Sequence, residues 1–175
     1  MDLRELKEFT IDAFKYLVTI AIVILVFIYV CALQQVIGPS MKPTLNNGDI
    51  LLTDKLFYKL RDLKRNEIIT FNFEDEKYLI KRIIGLPGES IMYKNNFLYI
   101  DGVVHTEKIV PDLITDDFSL EDLGYEVIPK DMYLVLGDNR EDSMDSRMFG
   151  LISKKDIIGS PFIRIWPIGD ISLVD

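Results

Sequence analysis

The sequence predicts a mainly β domain, built on an antiparallel sheet and preceded by one N-terminal transmembrane helix. Two observations support this fold class. Residues 16–33 form a run of 18 residues without a charged side chain. The chain after it holds short runs rich in β-branched and aromatic residues, separated by turn signals. We therefore divide the chain into a cytoplasmic tail (1–15), a transmembrane anchor (16–35) and an extracytoplasmic β-rich domain (36–175).

The apolar run has the length of a membrane span. Eighteen helical residues extend about 27 Å, close to the thickness of the hydrocarbon layer of a bilayer. The run is apolar on every side, unlike the stripe of a surface helix, and Cys31 within it is expected to be a membrane-buried thiol. A cleaved signal peptide is the alternative, but the run is longer than a typical signal core and no A-x-A cleavage site follows.

Basic residues near the run predict its orientation. Arg4, Lys7 and Lys15 precede the run, whereas only Lys42 follows it closely. Because cytoplasmic flanks carry the excess of Lys and Arg, the N-terminus is expected in the cytoplasm and the β-rich domain outside.

Composition excludes several classes of function. The chain has 20 Lys and Arg against 28 Asp and Glu, with a net charge of −8, which argues against a nucleic-acid partner because phosphate backbones need clustered cations. It contains one His and one Cys, so a metal site built from several such ligands is excluded. We expect neither a metal nor another cofactor.

The β-rich domain is predicted from local patterns. Short helices are expected over residues 57–65 and 119–123, and an acidic surface loop over 111–124. A hairpin turn is expected at Lys94-Asn95-Asn96. The predicted strands are 49–53, 67–73, 78–84, 90–93, 97–100, 132–136 and 157–166, the last interrupted by Pro161.

Ser40 lies in a stiff segment seven residues after the apolar run. Prolines at 39 and 43 restrict the backbone around it. One interpretation is a turn in which Ser40 makes a local hydrogen bond to the backbone. The other is a nucleophile held near the membrane surface, and the segment by itself does not decide between them.

Lys81 lies within a predicted strand, where it shares a face with Leu79 and Ile83. A lysine between two aliphatic side chains on a core face loses hydration, and its pKa falls. Lowering that pKa from about 10.4 to about 7 takes roughly 4–5 kcal/mol, which buried lysines reach. The amine would then serve as a base; the alternative is a lysine that extends to solvent at a sheet edge.

Two further features bear on chemistry. His105 is the single histidine, so a Ser-His-Asp triad would have to use it; a lone histidine after the Asp101-Gly102 turn is more often a surface residue. Residues 137–147 directly follow an apolar strand and contain only one apolar side chain. Such a segment on a rigid sheet indicates an ordered polar cluster, where functional groups concentrate.

Three segments in order resemble the type I signal peptidases, the Ser-Lys proteases that remove signal peptides from exported proteins. They are residues 38–45 followed by Gly48-Asp49, residues 81–89, and residues 137–147 with Phe149-Gly150. The single anchor and the short chain resemble the compact form found in Gram-positive bacteria.

The resemblance implies a role for each matching residue. Ser40 would be the nucleophile, with its backbone N–H as an oxyanion donor, and Lys81 the general base. Ser143 would orient the lysine. Some relatives place a serine as second oxyanion donor where this chain has Gly38. The residues expected to hold the loops of the site are Asp138, Asp145, Arg147 and Arg82.

The resemblance also implies the substrate and the reaction. A preprotein would lie extended along the cleft and be cleaved after small residues through an acyl-enzyme, with the lipid bilayer and signal peptides as partners. The matching pocket positions are Val36, Met41, Leu45, Leu79 and Ile80. Two alternatives remain: a self-cleaving repressor-type protein, disfavoured by the membrane span, and a tethered β domain that binds exported chains without cutting them.

Overall fold

The computed structural model describes residues 2–74, 77–107 and 114–174. Helix α1 (Leu3–Val30) opens the chain, and the Glu5 carboxylate accepts a hydrogen bond from the Asp2 N–H at its N-terminus. Within the described residues it is the one helix long and apolar enough to cross a membrane. Its most apolar 18-residue window has a mean hydropathy of 2.5 and no buried residue. The predicted N-terminal apolar helix is therefore present.

The helix ends five residues earlier than the predicted anchor. Strand β1 (Cys31–Gln35) follows it directly and pairs antiparallel with β2 (Ile50–Asp54). The Gln34 side chain accepts hydrogen bonds from the hydroxyls of Thr53 and Thr70, each at 2.8 Å, and both threonines are fully buried. The sheet satisfies this polar side chain, which a bilayer would not. Cys31 is consequently a half-buried strand residue and not part of the helix.

Two antiparallel sheets form the domain, which confirms the mainly β fold class. Besides β1 and β2, the strands are β3 (Ile68–Asn72), β4 (Tyr78–Gly85), β5 (Ile91–Lys94), β6 (Phe97–Ile100), β7 (Val103–His105), β8 (Phe118–Ser119), β9 (Met132–Leu136), β10 (Ile152–Ser153), β11 (Ile157–Trp166) and β12 (Ser172–Leu173). The first sheet has the order β1-β2-β11-β3-β4-β9-β10, with β12 added on β11, and the second has the order β7-β6-β5-β8.

The local turn chemistry behaves largely as predicted. Asn95 and Asn96 have φ of 50° and 66°, and they join β5 to β6 in the two-residue turn that favours asparagine. Pro161, in contrast, does not interrupt β11. The strand continues through it with a register shift before Ile163, because a bulge tolerates a residue that lacks an N–H.

The helical predictions need correction. The predicted helices shrink to 3₁₀ turns at Phe57–Leu60 and Leu120–Leu123, while a short helix α2 (Ser146–Phe149) that was not predicted forms within the polar segment. Of the predicted loop over 111–124, residues 111–113 lie outside the described residues, and the rest includes β8 and the second turn.

Three buried apolar clusters hold the sheets in place. The largest joins the two sheets through residues such as Ile84, Tyr93 and Leu134, and a second lies around Phe71 and Ile83 of the first sheet. The third lies beneath the Ser40 segment and consists of Val36, Met41, Leu45, Leu51, Ile68 and Ile80. Strand β4 contributes to all three clusters, which fixes it at the centre of the domain.

Candidate active site

Ser40 and Lys81 meet beside the middle of strand β4. The Lys81 Nζ donates a hydrogen bond to the Ser40 Oγ at 2.6 Å. The tight turn around Ser40 is closed by the Lys42 N–H, which donates to the Pro39 carbonyl at 3.0 Å. Because Met41 and Leu45 anchor this turn in the core, the hydroxyl is held over the end of the Lys81 side chain.

Lys81 is buried, with only 2% of its surface exposed. Burial lowers the pKa of its amine to about 8, while the negative charges of Asp145 and then Asp138 oppose that shift. The alternative in which Lys81 extends to solvent therefore does not hold. Near physiological pH a minority of a lysine with this pKa is neutral, far more than for an unperturbed lysine, and the lone pair of that neutral amine can accept a proton.

Arg82 and Asp138 form a buried ion pair next to this contact. The Arg82 Nε and Nη2 donate to the two Asp138 carboxylate oxygens, each at 2.8 Å, and both side chains are at most 1% exposed. The neighbouring Asn139 N–H donates to the Ser40 carbonyl at 3.0 Å. The pair thus fixes the start of the polar segment against the Ser40 turn.

Asp145 holds the other end of the polar segment. Its carboxylate accepts hydrogen bonds from the Arg147 guanidinium, both at 2.9 Å, and from the Gly137 N–H at 3.1 Å. Gly137 in turn lies so close to the Ser40 turn that an added Cβ would be 2.5 Å from the Ser40 carbonyl oxygen. The ordered polar cluster predicted for this segment is present.

Ser143 differs from expectation. Its Oγ is buried beside Gly137, but in the described part of the chain it makes no hydrogen bond. The expected hydrogen bond between Ser143 and Lys81 is therefore absent among the described residues.

The backbone around Ser40 bears on oxyanion binding. Among the described residues, none accepts a hydrogen bond from the Ser40 N–H, so this donor is available to a substrate. The Gly38 N–H is engaged by the Asn47 side chain at 2.9 Å. Gly38 has a φ of 89°, which favours glycine, and open space where a Cβ would be. The position that holds a serine in some relatives thus offers no side-chain donor here.

A small cleft opens beside the Ser40–Lys81 contact. Four of the five predicted pocket residues line it, whereas Leu45 does not: it is 1% exposed and belongs to the core below. The cleft has a volume of about 30 Å³ and is lined by Val36, Ile37, Ser40, Met41, Tyr78, Leu79, Ile80 and Lys81. Ile37 and Tyr78 also line the cleft but were not predicted. Tyr78 could have been found, because residues two apart in a strand share a face and Ile80 was predicted.

Arg140 is a third residue that the sequence reasoning missed. It is buried and donates to the Gly137 carbonyl at 2.9 Å, and also to Tyr93 and Thr115 of the neighbouring part of the domain. His105, by contrast, lies exposed on β7 in the second sheet, outside the cleft. Among the described residues there is no cluster of His, Cys, Asp or Glu that could hold a metal ion.

Comparison with known proteins gives a consistent family. The profile described as "Signal peptidase, peptidase S26" matches residues 10–166. Signal peptidase I of Bacillus caldolyticus is 36% identical over 161 residues, covering 87% of this chain and 88% of that protein. The chain belongs to the signal peptidase family S26.

Further relatives agree with this membership. Signal peptidase IB of Staphylococcus aureus is 35% identical over 182 residues, covering 95% of this chain and 93% of that protein. A crystal structure of a signal peptidase I from Enterococcus faecalis matches with a TM-score of 0.51 and 36% identity, over 57% of this chain and 97% of that one. The protein is accordingly a signal peptidase, a serine endopeptidase, and the resemblance seen in the sequence is confirmed.

Proposed function

We propose that this signal peptidase cleaves preproteins with Ser40 as nucleophile and Lys81 as general base. The observation that supports this assignment is the 2.6 Å contact between the Ser40 hydroxyl and the Lys81 amine. A base must lie within hydrogen-bond reach of the proton it removes and have a pKa near the working pH. The buried Lys81 amine, with a pKa of about 8, meets both requirements.

The proton movements follow from this geometry. Neutral Lys81 takes the proton of the Ser40 hydroxyl as Oγ attacks the scissile carbonyl, and the Ser40 N–H stabilises the oxyanion. The lysine ammonium then protonates the leaving amine, which leaves an acyl-enzyme. Lys81, again neutral, removes a proton from the water that attacks the acyl carbon. The bond between that carbon and the Ser40 Oγ then breaks, the lysine ammonium returns its proton to Oγ, and the signal peptide leaves as a carboxylate.

The cleft supports selection of small side chains before the scissile bond. Its volume of about 30 Å³ is about a tenth of the ~300 Å³ at which pockets for drug-sized ligands begin. Met41 and Ile80 line the cleft and are themselves buried, so they leave little space for a larger side chain. An extended substrate would lie between the segments 36–41 and 78–81.

Helix α1 supplies the membrane anchor in this proposal. Its most apolar 18-residue window has no buried residue, as expected of a helix that faces lipid. Arg4, Lys7 and Lys15 at its N-terminal end favour a cytoplasmic N-terminus. The catalytic domain then faces the opposite side, where the signal peptide of an exported protein emerges from the bilayer.

The test uses the full chain in lipid vesicles with one purified preprotein. Ser40→Ala and Lys81→Ala should each reduce the turnover rate by at least a factor of about 10³. Each variant should still bind the preprotein, and sequencing of the wild-type product should give an N-terminus preceded by small residues. Thermal unfolding verifies that the variants remain folded.

Two control variants separate the proposal from its alternatives. Lys94→Ala removes an exposed lysine of β5, and His105→Ala removes the single histidine; both should leave turnover unchanged. A large loss with His105→Ala would indicate a histidine-dependent mechanism. Turnover at the wild-type rate in folded Ser40→Ala or Lys81→Ala would exclude the Ser-Lys pair.

A further inference from the structure

The segment after β2 lies against the end of the apolar helix. The Lys55 N–H donates to the Val30 carbonyl and the Lys55 Nζ to the Ile28 carbonyl, each at 2.8 Å. These two bonds satisfy carbonyl groups at the helix C-terminus that have no intrahelical partner. If α1 spans a bilayer, as in the function proposed above, this segment is therefore at the lipid surface.

A rigid turn in this segment presents apolar side chains outward. The Asp54 carboxylate accepts hydrogen bonds from the N–H groups of Leu56, Phe57 and Tyr58 at 2.8–2.9 Å. Tyr58 is buried and donates its hydroxyl to the Ile157 carbonyl at 2.6 Å. The turn is thus fixed from both sides, while Phe57 next to the anchoring tyrosine remains 58% exposed.

Two adjoining cavities lie beside this turn, and residues of β11 form part of their walls. The first has a volume of about 270 Å³ and includes Val30, Cys31, Phe57 and Phe162 in its wall, so it is mainly apolar and opens at the helix end. The second, of about 390 Å³, shares Arg61, Ser160 and Phe162 with the first and continues past Lys64 and Arg65. We call the two together the junction cleft; it is apolar at the helix end, and at the far end three cationic side chains outnumber the one carboxylate, Glu67.

The charge of the segment is opposite to that of the domain around it. Residues 36–175 have a net charge of −7, yet five of their 17 Lys and Arg residues fall within positions 55–65. Arg61 and Arg65 pair with Glu67 and Glu89, whereas the Lys64 ammonium has no ion pair with any residue that the structure describes. The most cationic segment of this acidic domain, residues 55–65, thus lies next to the end of α1.

We propose that the junction cleft binds an anionic phospholipid, with an acyl chain beside Val30, Phe57 and Phe162 and the phosphate at Arg61 and Lys64. Apolar surface and cations in this order match the order of groups in such a lipid, and a lysine is attracted to an anionic lipid surface. The inference rests on the proposed membrane anchoring, but not on the roles of Ser40 and Lys81.

Cys31 provides a reporter inside the cleft. It is the single cysteine of the chain, is half-buried, and contributes to the apolar wall. In the full chain kept in a neutral detergent, phosphatidylglycerol should slow alkylation of this thiol by a maleimide at lower concentrations than phosphatidylcholine does. Native mass spectrometry of the same samples counts the bound lipid independently of thiol reactivity.

Matched variants test each end of the cleft. Lys64→Glu replaces an attraction to the phosphate by a repulsion. It should therefore raise, about tenfold or more, the phosphatidylglycerol concentration that halves the rate of Cys31 alkylation. Lys94→Glu, at an exposed lysine of the second sheet, should leave it unchanged. Phe57→Ala should weaken protection by both lipids, whereas Phe97→Ala, which alters a similarly exposed phenylalanine of β6, should not.

The outcomes separate this inference from the proposed function. The lipid proposal is overturned if the two lipids protect Cys31 equally. It is also overturned if phosphatidylglycerol protects wild type and Lys64→Glu alike, or if inorganic phosphate alone protects the thiol. Cleavage of a short soluble peptide in detergent reports on Ser40 and Lys81 and should be the same in Lys64→Glu. Release of the chain from membranes by alkaline extraction would instead overturn the anchoring itself.

Discussion

Strand β4 places two cations side by side in two different environments. Lys81 and Arg82 are consecutive, so they point to opposite faces of the sheet, and both are buried, with 2% and 0% of their surface exposed. Arg82 receives a carboxylate partner in a two-bond ion pair with Asp138. Lys81 receives a hydroxyl, that of Ser40.

The two positions differ both in the partner of the cation and in the chemistry of the buried group. A buried charge that is paired and hydrogen-bonded is retained, whereas an amine without a carboxylate at hydrogen-bond distance loses affinity for its proton. The pKa of Lys81 accordingly falls to about 8, while a guanidinium keeps its proton in proteins. One strand therefore supplies a proton acceptor and a permanent cation in adjacent positions.

The largest effect is expected when Lys81 is replaced by arginine, the residue at the adjacent position 82. Lys81→Arg keeps a long cationic side chain but introduces a group that does not give up its proton. We expect the turnover rate to fall by at least about 10³-fold, because the general base is lost while the charge is kept. Preprotein cleavage under single-turnover conditions measures the loss, and activity within tenfold of wild type would contradict the distinction between the two cations.

Removing the partner of the arginine should affect stability most. Asp138→Asn leaves the buried Arg82 guanidinium without its counter-charge, and breaking a buried pair in this way costs about 3–5 kcal/mol. Denaturant unfolding of the full chain in detergent measures that cost. Asp142→Asn, at an exposed position of the same segment, is the matched control and should change the free energy of unfolding by less than about 0.5 kcal/mol.

The two cations also differ in how far the sequence predicts them. For Lys81, its place between Leu79 and Ile83 leaves two alternatives, a buried amine and a lysine that extends to solvent, and the structure shows the buried one. Alternation by itself does not bury the opposite face, where Arg82 lies. Its burial depends on Asp138, which is 56 positions away, and only the resemblance to a family connected the two residues in advance.

The same limit explains the other errors. Strands and the Asn95-Asn96 turn depend on neighbouring residues, and most strand predictions hold. The end of α1 at Val30, in contrast, depends on pairing of β1 with β2 and on Thr70 beyond it. Leu45 lies in the core and not in the cleft because of residues distant in sequence. Patterns within one segment do not contain such contacts.

A smaller effect is expected where the Ser40 turn touches the polar segment. An added Cβ at Gly137 would lie 2.1 Å from the Ser143 Oγ and 2.5 Å from the Ser40 carbonyl. Gly137→Ala should therefore displace the Ser40 turn, and misplacement by about 1 Å costs about 10²-fold in rate. The rate should fall at all pH values, since the pKa of Lys81 is not the target. Gly102→Ala, in a turn of the second sheet with open space at its Cβ, is the control for activity.

The pH dependence tests the Lys81 side of the comparison most directly. Because protonated Lys81 is not a base, kcat/KM should fall about tenfold per pH unit below the pKa of about 8. A profile that is flat from pH 5 to 9 would contradict the assigned base. The same measurement on Lys94→Ala, which changes an exposed lysine, should reproduce the wild-type curve.

The smallest expected effect is a shift of the pH profile of kcat/KM along the pH axis. The Asp145 carboxylate raises the pKa of Lys81 against the larger effect of burial, since a negative charge favours the ammonium form. Asp145→Asn removes the charge, so the pKa of Lys81 should fall further and the acidic limb of kcat/KM should move to lower pH. Loss of the bonds to Arg147 and Gly137 lowers the maximum rate, but it does not move the limb. A limb that moved to higher pH would mean that the carboxylate acts on Lys81 mainly by excluding water and not through its charge.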